Sequence, residues 1–151
     1  MKILGCDCNS RSITCALIDT EVKNITTFEV IGGDKNDYKQ RVKNMLFEFN
    51  GLIKRIVPDV VYIEQAVMLQ NVKTTLMIDG VVSVVRDCCI LNNIVYEIID
   101  NKSWKKSVIG NGKASKEEIM EFARLKGGCK ITSQDVADAI AIATFGLLRL
   151  G

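Results

Sequence analysis

The stretch KILGCDCNSRSITCALID, residues 2–19, decides how the rest of the chain is read. Two apolar, β-rich runs flank the polar tetrapeptide NSRS, the pattern of a β-hairpin. Side chains alternate along a strand, so Ile3, Gly5 and Asp7 share one face while Leu4, Cys6 and Cys8 share the other. The hairpin thus brings one carboxylate, Asp7, to the end of an apolar strand, with its flanking cysteines pointing away from it.

Downstream, ITTFEVIG (25–32) reads as a third strand and makes the opening an antiparallel meander. Residues 37–55 carry Val42, Met45, Leu46, Phe49, Leu52 and Ile53 on one helical stripe, and Pro58 ends that helix. DVVYIEQ (59–65) is short and almost continuously apolar, as a central strand buried on both faces requires. Residues 71–91 predict a long apolar helix, 94–99 another strand, and 101–114 a lysine-rich, glycine-containing connection. Ser115 with Glu118 three residues later is the capping box of a further helix, and a last helix is expected over 134–148. The order β-β-β-α-β-α-β-α-α predicts one α/β domain over residues 1–151. Its mixed five-stranded sheet would have three antiparallel leading strands, then parallel strands added by right-handed crossovers, with helices on both faces.

Composition narrows the chemistry. The chain has 151 residues, 48% of them hydrophobic and 25% charged, enough for one sizeable core. No apolar run reaches the roughly 18 residues of a membrane span. The strand-like opening does not resemble a secretory leader, which predicts a cytoplasmic protein. The six cysteines, Cys6, Cys8, Cys15, Cys88, Cys89 and Cys129, are then expected as reduced, small core residues. There is no histidine, which removes imidazole metal sites, Ser-His-Asp triads and Cys-His pairs together. Net charge is only +2, but residues 101–130 hold eight basic side chains against Glu117, Glu118 and Glu121, leaving the remainder net acidic. Such a segment fits a face that meets a polyanion, or else a lysine-rich solvated surface.

Four acids interrupt apolar contexts: Asp7 at the end of the first strand, Glu64 at the end of the central strand, and Asp135 and Asp138 opening the last helix. Buried carboxylates are costly unless paired, hydrated or bound to a cation. If the first and central strands are neighbours, Asp7 and Glu64 converge, and positions 135 and 138 share a helix face. Hard oxygen ligands without imidazole select Mg²⁺ or Mn²⁺ over zinc. Blander roles stay open for each acid alone: Asp7 as a turn former, Glu64 as a surface strand end, Asp135 as a partner of the helix dipole. Asp138, one turn in, fits these least well. Asp19, Asp34, Asp37, Asp59, Asp87 and Asp100 sit at turns and helix edges and read as solvated. Asp79, inside an apolar helix beside Gly80, is compatible with pairing, a kink or function.

In series, ILGCDCNSRSITCALID, PDVVYIEQAVMLQN, KKSVIGNGKASKEEI and SQDVADAIAIA resemble the RuvC family of Holliday junction resolvases, which have an RNase H-like fold. The resemblance covers nearly the whole chain. It implies a homodimeric endonuclease that nicks opposing strands of four-way DNA junctions with two Mg²⁺ ions per site, Mn²⁺ substituting, and with no organic cofactor. The family's acidic positions fall on Asp7, Glu64, Asp135 and Asp138, which would hold the ions. Its lysines fall on Lys105 and Lys116. Lys116 would hold the scissile phosphate, while Lys105, with Lys106 and Lys113, would grip the DNA backbone.

Departures from the family pattern lie beside the site. The loop after the first acid, usually DPGS, is here Asp7-Cys8-Asn9-Ser10. The aromatic that stacks at the junction is replaced by Val67; Met68 and Leu69 are open to two roles, packing in the core ahead of wedging at the junction, and Met68 and Asn71 are expected DNA contacts. These changes suggest a divergent member, such as one encoded by a phage or virus, with selectivity relaxed to flaps, forks and three-way junctions. Three alternatives stay open: a non-catalytic dimer that binds branched DNA, a nuclease acting on RNA–DNA hybrids, and the phosphate-binding hairpin of actin-like ATPases and sugar kinases. The apolar helix over 71–91 would cover the sheet with one face and pair with a two-fold mate through another.

Overall fold

The computed structural model describes residues 1–128 and 130–150; Cys129 lies outside them. The elements run β1 (Lys2–Cys8), β2 (Ser12–Asp19), β3 (Asn24–Ile31), α1 (Tyr38–Ile56), β4 (Val60–Glu64), α2 (Val72–Leu91), β5 (Val95–Ile99), α3 (Asn101–Val108), α4 (Lys116–Gly127) and α5 (Gln134–Leu150). All five strands join one sheet in the order β3-β2-β1-β4-β5. β1 and β2 pair antiparallel with Cys6 opposite Cys15, and β3 continues the meander. β4 and β5 then add in parallel, beyond the other edge of β1. This is the mixed sheet that the hairpin and the later alternation predict.

Strand alternation divides the core in two. Leu4, Cys6, Cys15, Val61 and Ile63 face α1 and α2, with Met45, Phe49, Val81 and Val85 packed against them. Ile3, Ala16, Val60 and Tyr62 face α3, α4 and α5. Cys6 and Cys15 are fully buried with their sulfurs 3.5 Å apart, and Cys88 and Cys89 are buried in the same layer. Cys6 therefore lies on the opposite side of the sheet from Asp7, as the alternation requires.

α5 lies unusually close to β1. A Cβ on Gly5 would stand 2.4 Å from the Ala143 nitrogen and 2.6 Å from the Ala139 oxygen. One on Gly146 would stand 2.5 Å from the Tyr62 ring. Gly5 on the strand and Ala139, Ala143 and Gly146 on the helix thus let two backbones touch, and this sets the distance from the head of α5 to the end of β1. On the other face, Gly80 of α2 makes room for Tyr38, whose hydroxyl donates to the Met77 carbonyl at 2.6 Å.

Two features depart from the sequence reading. The first half of the expected lysine-rich connection is helical: α3 is capped by Asp100, whose side chain accepts from the Ser103 amide. Its lysines conceal an apolar pair, fully buried Trp104 and partly buried Val108, one turn apart. Arg41, on α1, is buried amid that helix's apolar stripe. It donates to the carbonyls of Ser10, Asp34 and Lys35 at 3.0–3.1 Å and so ties down the loop that follows Asp7.

Candidate active site

Asp7 lies near the end of β1 and Glu64 closes β4. Continuing the parallel register Gly5↔Tyr62 and Cys6↔Ile63 by one step sets the two acids side by side. They lie on the sheet face covered by α5, whose first turns carry Asp135 and Asp138. Ser133 Oγ accepts from the Val136 amide at 3.3 Å, so the cap of α5 is supplied without either acid. The acids expected to be solvated are exposed or partly exposed, and each also has a partner: Asp37 and Asp100 cap helices, Asp19 and Asp34 accept turn amides, Asp59 accepts from the Lys2 amide, and Asp87 pairs with Arg86. Asp79 is exposed on α2, and its carbonyl accepts from Ser83 Oγ.

The four converging acids share one electrostatic problem. Burial, then the charges of Glu64, Asp138 and Asp135, hold the Asp7 carboxyl well above the usual carboxylate range. The Asp7 and Asp135 side chains are within hydrogen-bonding reach of each other. Burial raises Glu64 as well, against the opposing pull of Trp104, Asn101 and Lys105. Asp138 is pushed up to about 6, chiefly by burial, with Gln134 and Lys105 pulling it down. Among the described residues the ion pairs are Arg86–Asp87 and Arg149–Glu97, and neither involves these acids.

Neutral donors orient the carboxylates. The Trp104 indole N–H donates to Glu64 Oε2, and Asn101 Nδ2 donates to the same oxygen at 3.2 Å. Gln134 Nε2 donates to Asp138 Oδ1 at 2.9 Å. Asn9 Nδ2 reaches Asp135 Oδ2 at 3.4 Å, while its Oδ1 accepts from Arg11 and Ser12 and fixes the loop. As they stand, no three acidic or thiol side chains among the described residues are grouped closely enough to hold a metal ion. The donor set nevertheless fits hard divalent cations: four clustered carboxylates, neutral donors and no pairing cation. Asp7, Glu64, Asp135 and Asp138 are the residues that would hold them.

The expected DNA-contacting residues divide. Lys105, on α3, is half-buried, and its charge is the one that lowers Glu64 and Asp138. Lys116 opens α4 and shares a shallow groove with Arg124 and Gln134. Lys106 and Lys113 are exposed. Met68 is 77% exposed beside a groove of about 530 Å³ that Lys102 also lines. Asn71 caps α2, its side chain accepting from the Thr74 amide, so it has a structural task beside the contact expected of it. Sequence reading missed Trp104, Asn101, Gln134 and Asn9. The one available signal was a lone tryptophan inside a lysine-rich stretch.

A mixed sheet flanked by helices in this order defines the class, an RNase H-like domain. Thermus thermophilus RuvC has the same fold, with a TM-score of 0.83 at 19% identity over 100% of this chain and 97% of that one. A structure described as T. thermophilus RuvC in complex with Holliday junction substrate gives 0.86 at 18% identity, covering 99% of this chain and 94% of that one. The family model for crossover junction endodeoxyribonuclease RuvC matches residues 3–145, and the chain belongs to that family of endonucleases. The crossover junction endodeoxyribonuclease RuvC of Caldicellulosiruptor saccharolyticus is 31% identical, over 98% of this chain and 93% of its own. That of Brachyspira hyodysenteriae is 33% identical, over 71% of this chain and 67% of its own.

Proposed function

We propose that the chain is a divalent-metal-dependent endonuclease that resolves branched DNA, four-way junctions above all, by symmetric nicking as a homodimer. The observation that carries this reading is the convergence of Asp7, Glu64, Asp135 and Asp138 from three elements, without a pairing cation, beside the lysines of α3 and α4. Family membership supports it further. Divalent ions held by these acids, Mg²⁺ or Mn²⁺, would supply the Lewis acidity that activates water and offsets charge on the leaving oxygen. Lys116, at the head of α4, is suited to the scissile phosphate. Lys105, Lys106 and Lys113 are suited to neighbouring phosphates, contacts that fix register without reading sequence. A chain without histidine offers no imidazole base, and this chemistry requires none.

The dimer is supported by α2. Val72 and Leu76, one turn apart, are 60% and 65% exposed, and they continue the apolar run of Val67, Met68 and Leu69. An apolar face of this kind on an element that also covers the sheet suits a two-fold contact. Val67 in place of a stacking aromatic favours relaxed selectivity, with flaps, forks and three-way junctions as further substrates.

The test incubates the protein with labelled four-way junctions, forks, flaps and duplex, with Mg²⁺ or with chelator. Paired nicks at four-way junctions in Mg²⁺ alone are expected. Asp7→Asn and Asp138→Asn should bind the junction but not cut it, and Lys105→Ala should weaken binding and flatten its salt dependence. Binding without cutting by the unaltered protein would favour a non-catalytic junction binder. Cutting by both acid variants would overturn the site.

A further inference from the structure

Trp104 is the only tryptophan in the chain, and its side chain is fully buried. A buried indole needs an acceptor for its N–H, and here that acceptor is a carboxylate of the candidate site, Glu64 Oε2. Asn101, three residues earlier and on the same side of α3, donates to the same oxygen. Both donors therefore converge on Oε2, and among the described residues none donates to Oε1. The indole is held on every side. Trp104 packs in the apolar cluster with Ala114, Ile119 and Ile140, and Lys105 Nζ stands 5.6 Å from its ring centroid. Asp100 caps the helix through Ser103, fixing the start of the element that carries both donors.

We propose that Trp104 and Asn101 form a positioning clamp on Glu64, which holds Oε2 so that Oε1 is presented to a divalent cation. This rests on the reading of Asp7, Glu64, Asp135 and Asp138 as the metal-binding acids. Two donors on one oxygen fix the carboxylate plane before any ion arrives, and the side-chain entropy of Glu64 is spent in folding instead of in binding. Neither donor carries charge, so the clamp orients the ligand without competing with the cation for it. The cation–π contact further ties the clamp to Lys105, so one short helix carries both the Glu64 clamp and a lysine suited to a DNA phosphate.

The same geometry supplies a readout that is independent of cleavage. Because Trp104 donates directly to Glu64, its emission reports on that carboxylate, and paramagnetic Mn²⁺ bound there quenches it. Titrating the unaltered protein with Mn²⁺ should give saturable quenching, with a midpoint matching free Mn²⁺ measured by electron paramagnetic resonance. Trp104→Phe keeps most of the ring and removes the N–H donor. Asn101→Ala removes the second donor and keeps the fluorophore, so it carries the test if Trp104→Phe does not fold. Each should raise the Mn²⁺ dissociation constant by about 10- to 100-fold, read by electron paramagnetic resonance in Trp104→Phe, which has no indole left to quench, and by both methods in Asn101→Ala; this is the usual loss when a partner of a metal ligand is removed. Circular dichroism and junction binding in chelator should be unchanged. A purely structural role would lower the melting temperature and leave the Mn²⁺ midpoint in place. Unchanged midpoints in the folded variants, while Asp7→Asn abolishes Mn²⁺ binding, would overturn the clamp alone. If Asp7→Asn binds Mn²⁺ as tightly as the unaltered protein, the four-acid reading fails first.

Discussion

Gly5→Ala adds one methyl group at the point where sheet and helix are closest, and it should damage activity more than folding. The new Cβ would stand 2.4 Å from the Ala143 nitrogen and 2.6 Å from the Ala139 oxygen, whereas ordinary contacts begin near 3.4 Å. Both obstacles are backbone atoms, so no rotamer change relieves them, and α5 must retreat from β1 by about 1 Å. Overpacking of this kind costs about 1–3 kcal/mol, and a rigid backbone obstacle places it at or above the top of that range. In a domain of this size, about 3 kcal/mol corresponds to a fall of roughly 6–12 °C in melting temperature. The retreat also carries Asp135 and Asp138 away from Asp7 and Glu64. A misplacement of about 1 Å in a catalytic constellation can cost on the order of 10²-fold in rate. The assay pairs a thermal melt in chelator with single-turnover nicking of a four-way junction at a temperature where the variant is folded. A melting temperature within about 2 °C of the parent, together with parental nicking, would refute the claim that Gly5 sets the spacing of the acids.

Two further predictions follow from the electrostatics and the backbone. Asp138 titrates near 6 in the folded protein against a reference of 3.8. Its contribution to stability is therefore complete below about 4 and is lost as pH rises through 6, a swing of roughly 3 kcal/mol, and Asp7 and Glu64 shift with the same sign. Metal-free protein should thus melt higher at pH 5 than at pH 7.5, Mg²⁺ should restore stability at pH 7.5, and Asp138→Asn should flatten the profile; a metal-free melt that rises with pH would contradict this. Val57, before Pro58, sits at φ 44 and ψ 66, a left-handed conformation that a β-branched residue tolerates badly, and it is 62% exposed. Val57→Asn should raise stability by about 0.5–1 kcal/mol in a denaturant melt with nicking unchanged, and a loss of stability would show that the strain lies elsewhere.

What was legible in the sequence is what local periodicity encodes. Alternation in residues 2–8 placed Asp7 on the face of β1 opposite its cysteines, and the short apolar run ending at Glu64 marked a central strand. Two acids three apart at the head of an alanine-rich helix supplied the third segment. Adjacency of β1 and β4 was a condition of the sequence reading, and the observed parallel pairing is what sets Asp7 beside Glu64. α3 was hidden because eight residues are barely two turns, and Lys102, Lys105 and Lys106 mask the spacing of Trp104 and Val108. The donors were hidden for a different reason. Trp104 and Asn101 meet Glu64 from about forty positions away, and Asn9 meets Asp135 from 126. Such pairs leave no periodic trace, because only the finished fold brings them together. Buried Arg41 is a similar case, since its acceptors are carbonyls, which every residue carries.

The choice of neutral donors has a consequence for how the site works. An arginine or lysine paired to each acid would have solved the burial problem more completely, and any cation would then have had to displace it. Amides and an indole orient oxygens without cancelling their charge, so the cluster keeps its preference for positive charge. Protons and any divalent cation would therefore compete for the carboxylates of Asp7, Glu64 and Asp138, all of which burial shifts upward. Half-buried Lys105 eases that preference only in part.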